Sequence, residues 1–130
     1  MQALALSVLP ESLAVCRLEA AAQIPAWAHT GAFRAVIRTP TELSIVCRED
    51  SVPAGIPASR GWRAIAVAGT LDFALTGVLA SLASPLAAAG VSIFAVSTYD
   101  TDYVLVKKDT LDRAVEALSA AGHHFPGLAP

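Results

Sequence analysis

The chain of 130 residues suffices for one ordinary domain, or for two small units sharing a core, and is 55% hydrophobic but only 15% charged. That balance is more apolar than the usual soluble chain, and a homo-oligomer, a dimer in the simplest case, is expected to cover the surplus. A net charge of −2, with nine Lys and Arg scattered and only Lys107 and Lys108 adjacent, leaves no basic stripe for nucleic acid, and the start lacks the basic segment of a secretory signal, so a cytoplasmic protein is expected.

The first half reads as strands with little helix. Leu4, Leu6 and Val8 alternate before Pro10 and Glu11, and Leu13, Val15 and Arg17 follow. Residues 19–31 are Ala-rich but broken by Pro25 and Gly31, which allows a helix of at most a couple of turns. Phe33, Ala35 and Ile37, then Leu43, Ile45 and Cys47 after Pro40, form a hairpin pattern. Cys16 and Cys47 sit in these strands among apolar neighbours and read as buried free thiols. Residues 49–61 carry Pro53, Gly55, Pro57 and Gly61 and read as a loop linking residues 1–60 to residues 61–130.

The second half is the stronger pattern. Ile65 and Val67 mark a strand at 63–68, and Leu75, Val78, Leu79, Leu82 and Leu86 follow at helical spacing, with Pro85 kinking the last turn and Gly90 ending it. No charge occurs between Asp72 and Asp100, a span longer than a bilayer needs, but Pro85, Gly90, four Ser and the change to an extended period near Gly90 argue against a membrane helix. Strands follow at 91–97 and 103–107, and Asp109 is placed to cap a helix whose stripe is Leu111, Ala114, Val115 and Leu118, ended by Gly122. The order β-α-β-β-α is a split βαβ unit without its closing strand, because residues 123–130 contain no alternating run. The strand at residues 3–9 is expected to fill that place beside residues 63–68. His123 and His124, in a Gly/Pro-rich tail, read as solvated, and with His29 and two Cys they offer no closely spaced ligand set, so no metal or cofactor is expected.

Two features carry chemistry. Thr76-Gly77-Val78 opens the uncharged helix, where glycine admits a ligand to the backbone and the first N–H groups favour an anion such as an α-carboxylate; the plainer alternative is that Thr76 caps the helix. The turn Ser97-Thr98-Tyr99-Asp100-Thr101-Asp102 joins two strands with carboxylates and hydroxyls fit to receive an ammonium group, and the plainer alternative is an ordinary polar hairpin.

The stretch from Leu71 through Val106, with LTGVLASLASPLAAAGVSIFAVSTYDTDYVLV at its centre, together with IPAWA at 24–28 and RTPTELSIVCRE at 38–49, resembles the ACT domains shared by small bacterial ACT proteins, some aspartate kinases and the eukaryotic cytosolic arginine sensors. The resemblance implies an α+β, ferredoxin-like βαββαβ fold, with two ACT-like units sharing antiparallel sheets: a degenerate, helix-poor unit in residues 1–60 and an ACT unit in residues 61–130. It implies an amino acid as ligand, bound at an interface between units. Carried over by motif, Thr76, Gly77 and Val78 hold the carboxylate end, Ser97, Thr98 and Tyr99 stand at the turn with backbone contacts from the last two, and Asp102 meets an amine or a basic side chain. The arginine sensors carry an acidic residue shortly before this glycine; here Ala74, Leu75 and Thr76 stand there, which leaves a preference for arginine open.

The expected function is therefore regulatory amino-acid binding through ligand-dependent oligomerisation or conformational shift, without catalysis. An enzyme is the weaker reading, since no nucleophile–base pair, phosphate loop or metal cluster is legible and His29 has the surroundings of a surface residue. A structural or protein-interaction module without ligand is the third, with Trp27 and Trp62 as its anchors in place of plain core packing.

Overall fold

The computed structural model describes residues 3–72 and 74–128. The chain divides into two compact units, Glu11–Trp62 and Met1–Pro10 with Arg63–Pro130.

In the Glu11–Trp62 unit, β2 (Leu13–Leu18), β3 (Ala35–Arg38) and β4 (Leu43–Arg48) join the first half of β5 (Ala58–Val67) in the order β3-β4-β2-β5. The β3–β4 hairpin pairs Ala35 with Val46 and Arg38 with Leu43, and β2 runs antiparallel to β4 from Leu13 opposite Arg48 to Leu18 opposite Leu43. Alternation then turns Ala14, Cys16, Ile45 and Cys47 to one face, where Leu43, Val52 and Ala28 complete the core. Ala28 comes from a single 3-10 turn, Ala26–His29, the only helix that Pro25 and Gly31 allow in this stretch. Trp27 packs against this core and Trp62 is buried, its indole N–H donating to Ser59 Oγ at 2.9 Å, so both tryptophans serve packing.

The expected loop at 49–61 is a loop only to Pro57, because Ala58–Trp62 already belong to β5. The alternation is hidden there by an irregularity: Leu13 faces Trp62 and Val15 faces Ser59, so β5 carries one residue more than β2. Gly61, with φ of 78°, supplies the left-handed residue such a bulge requires. The Arg60 guanidinium donates to the carbonyls of Glu49 and Val52 at 3.2 and 3.3 Å, and so pins the preceding loop.

In the other unit the order is β1 (Leu6–Val8), the second half of β5, β7 (Asp102–Lys107) and β6 (Ile93–Ser97). Leu6 lies opposite Val67 and Val8 opposite Ile65, antiparallel, so β1 stands where the split βαβ unit lacks a strand. Helices α1 (Val78–Ala88) and α2 (Leu111–Ala120) pack on one face of this sheet. The core is Leu6, Ile65, Val67, Val104 and Val106 from alternate strand positions against Leu82, Leu86, Ala114 and Leu118 from the helices. Leu82, Leu86 and Leu118 are fully buried, each contributing roughly 1.5–3 kcal/mol over an exposed side chain. The fold is α+β and ferredoxin-like, and Glu11–Trp62 has no α-helix.

Several local expectations are corrected. Asp109 does not cap α2: it lies in a 3-10 turn, Lys108–Thr110, and Thr110 takes the N-cap position. His123 is buried, not solvated. Its Nδ1 accepts the Leu4 N–H at 3.1 Å and its Nε2 faces the Ser81 carbonyl at 3.1 Å, which fixes the neutral tautomer with the proton on Nε2. The Ser81 carbonyl needs this donor because Pro85, four residues on, has no N–H to give it. His124 follows with its N–H on the Leu4 carbonyl at 2.9 Å and its carbonyl on the Leu6 N–H at 2.7 Å, so the tail binds the outer side of the N-terminal segment by one parallel bridge. Among the described residues no helix is long and apolar enough to cross a membrane.

Candidate functional site

The segment from β5 to α1 is shaped by Asp72, whose carboxylate accepts the Ala74 N–H at 2.8 Å and whose carbonyl accepts the Leu75 N–H at 3.0 Å. The helix starts later than its apolar spacing suggests. Gly77 is the N-cap, at φ of 79°, and its carbonyl accepts the Ser81 N–H at 2.9 Å. No side chain caps the first turn, so Thr76 does not have the capping role considered for it. Helix geometry leaves the N–H groups of Val78, Leu79 and Ala80 without an intrahelical acceptor, at the positive end of the helix dipole. A side chain at Gly77 would cost about 1–2 kcal/mol in this left-handed conformation, so Gly77→Val would disturb the helix start along with any ligand.

Across from the helix start, the turn between β6 and β7 closes on itself. The Thr98 N–H donates to the Thr101 carbonyl at 2.8 Å, and Ser97 Oγ donates to the Asp102 carboxylate at 2.7 Å. Two further bonds dock this turn on the end of β5. The buried Thr101 hydroxyl donates to the Val67 carbonyl at 2.9 Å, and the Leu71 N–H donates to the Asp100 carbonyl at 2.6 Å. Between them lies a concavity of about 180 Å³, with Leu71, Asp72, Leu75 and Val78 on one wall and residues 97–102 on the other.

The structure therefore brings Val78, Ser97, Thr98, Tyr99 and Asp102 together around one concavity. Thr76 faces a neighbouring hollow of about 350 Å³, and Gly77 is not among the described walls of either. The sequence reading missed Leu71, Asp72 and Leu75 as wall residues, whereas Asp100 and Thr101 belong to the turn it had singled out. Asp72 two residues before Ala74 is a recognisable Asx-turn pattern, whereas Leu71 and Leu75 give no local signal.

Asp72, Asp100 and Asp102 line the concavity, and no described wall residue carries a positive charge. Such walls attract an ammonium group, while the open helix turn offers N–H donors to a carboxylate. No imidazole stands among the described walls, and the Ser97 hydroxyl is held by the Asp102 carboxylate. The thiols lie in the other unit, free and buried. Burial, then the neighbouring Cys47 charge, pushes Cys16 up from 9.0 to about 11 against the opposing Arg60, and burial likewise raises Cys47. They are neutral packing groups at physiological pH. His29 is exposed on its 3-10 turn.

A split βαβ unit with both helices on one face, closed by a strand from elsewhere in the chain and carrying a small polar concavity at the first helix, defines a ferredoxin-like domain. The ACT-domain family model matches residues 58–120, and a second model, described as an N-terminal domain, matches residues 11–55. A crystal structure of a protein from Agrobacterium tumefaciens superimposes with a TM-score of 0.91 at 38% identity, over 96% of this chain and 93% of that one. The human "Cytosolic arginine sensor for mTORC1 subunit 1" is 38% identical over 58 residues, which is 44% of this chain but 18% of the sensor. The regulatory subunit of aspartate kinase from Thermus thermophilus shares the fold, with a TM-score of 0.61 at 11% identity over 88% of this chain and 97% of that one. Residues 58–120 belong to the ACT-domain family.

Proposed function

We propose that this chain is a cytoplasmic, non-catalytic regulatory protein that binds a free amino acid and responds by a shift in conformation or assembly. In this reading Thr76-Gly77-Val78 hold the α-carboxylate, with the open first-turn N–H groups beginning at Val78. Asp102 takes the ammonium group, and Ser97, Thr98 and Tyr99 close the site. Residues 1–60 contain a degenerate ACT-like half, and the ACT unit proper lies in residues 61–130.

The observation that carries the reading is that an acidic turn and an uncapped helix start wall the same concavity, so the two charges of a zwitterion each meet an opposite partial or full charge. The arginine sensor and the aspartate kinase regulatory subunit among its relatives favour the same class of function. A homodimer completes the proposal. Strand β6 ends the sheet, its sequence IFAVS is uncharged, and at the rim of the concavity Tyr99 is 79% and Leu75 53% exposed, surfaces that a second copy would cover.

Calorimetry and thermal shift against the common amino acids test the proposal. At least one should bind and raise the melting temperature, because a ligand of the native state stabilises it by mass action. Asp102→Ala should weaken that binding about 10-fold or more, the loss typical of a hydrogen bond to a charged group. No heat and no shift with any amino acid, or unchanged affinity in the variant, would overturn it.

A further inference from the structure

Beside the acidic concavity lies the roomier hollow of about 350 Å³ that Thr76 faces. Ala5 on the N-terminal segment, Ala68 and Thr70 after β5, and Thr76 form its distinctive walls, and none of the described lining residues is charged. Leu71, Leu75 and Val78 line both spaces. A ligand anchored at Val78 thus has carboxylates on one side and only methyl, methylene and hydroxyl groups on the other.

From this we infer that the hollow is the side-chain subsite and that the ligand is an amino acid with an uncharged aliphatic or hydroxyl-bearing side chain, of the valine, isoleucine or threonine kind. The inference rests on the proposed amino-acid site and adds its selectivity. Three contacts would then be fixed: carboxylate at the helix start, ammonium at the acidic turn, side chain in the hollow. Three points around one carbon also discriminate between the two enantiomers. Selectivity follows from desolvation. An aliphatic side chain leaving water for these walls gains about 25 cal/mol per Å² of apolar surface covered. A guanidinium or ammonium placed there would lose its hydration without meeting any described counter-charge. A basic amino acid could bind only turned round, its side chain among Asp72, Asp100 and Asp102 and its own ammonium group left without those carboxylates.

Isothermal titration of the full chain with L-valine, L-isoleucine, L-threonine, L-arginine, L-lysine, L-glutamate and the D enantiomer of the best ligand decides the point. The inference requires one of the three uncharged amino acids to bind about 10-fold or more tighter than arginine, lysine and glutamate, in the range a hydrophobic pocket discriminates. Thr70→Asp is the matching variant, since Thr70 is exposed and a carboxylate there puts charge into the hollow with little effect on folding. It should weaken the uncharged ligand about 10-fold and narrow or reverse its advantage over arginine, with an unchanged melting temperature in the absence of ligand. Tighter binding of arginine, lysine or glutamate by the unmodified protein overturns the inference while leaving amino-acid binding standing, and so does a Thr70→Asp variant that keeps the original affinities. Silence with every amino acid removes the underlying site as well.

Discussion

His123 shows how one side chain can be required by a defect elsewhere. Pro85 deprives the Ser81 carbonyl of its helical partner, and the buried imidazole replaces it while its other nitrogen satisfies the Leu4 N–H. A ring that donates from one nitrogen and accepts at the other spans two backbone groups of opposite kind, which lysine and arginine, having donors only, do not. His123→Ala strands both groups, at about 1–3 kcal/mol each. We expect a loss of roughly 2–6 kcal/mol in urea denaturation. An unaltered midpoint would show that water replaces the ring. Nothing in the sequence around Gly122-His123-His124 marks this role, because the partners are 42 and 119 residues away. The site residues divide the same way. Ser97 to Asp102 were legible because hydroxyls and carboxylates cluster in one turn, while Leu71 and Leu75 become wall residues only once Asp72 has folded its loop.

At the level of elements, alternation and helical spacing foretold β2, β4, β6, β7 and both helices because each has one face against a core, and β3 by its hairpin pairing with β4. The errors fall where a local device replaces the periodic pattern: the Gly61 bulge inside β5, the 3-10 turn that moves the start of α2, and the Gly77 cap that leaves Leu75 outside α1 and exposed. The two end strands of the sheet order also differ in kind. Strand β3 carries Arg38, whose guanidinium bonds the Ala20 and Ala22 carbonyls, whereas β6 carries no charge along its length. Charge is a common guard against edge pairing, so β6 is the edge on which dimerisation is expected. Ala95 is its central residue and exposed. In an antiparallel pairing of two copies centred there, Ala95→Lys sets like charges opposite each other. Sedimentation should then show monomer where the unmodified protein is dimeric; a dimer that persists would move the interface elsewhere.

At the scale of the whole molecule, the two units differ in how far along the chain their partners lie. The strands of Glu11–Trp62 close on neighbours within some fifty residues of one another. The other unit takes β1 from one end and His124 from the other, with the Leu4 N–H meeting a ring 119 residues on. Loop closure costs more entropy as the intervening chain lengthens, and contacts between remote residues form late. Pulse-labelled hydrogen exchange during refolding should therefore protect amides of β2 and β4 before that of Leu6. Simultaneous protection would mean that both units fold as one.

On the ribosome the difference becomes a matter of order. Residues 11–62 emerge together and can settle while synthesis continues, whereas Leu4 and Leu6 must wait until residue 124 has left the exit tunnel before their outer hydrogen bonds can form. Because Leu4 and Ala5 also wall the hollow beside α1, the nascent chain fixes that surface only once residue 124 has emerged.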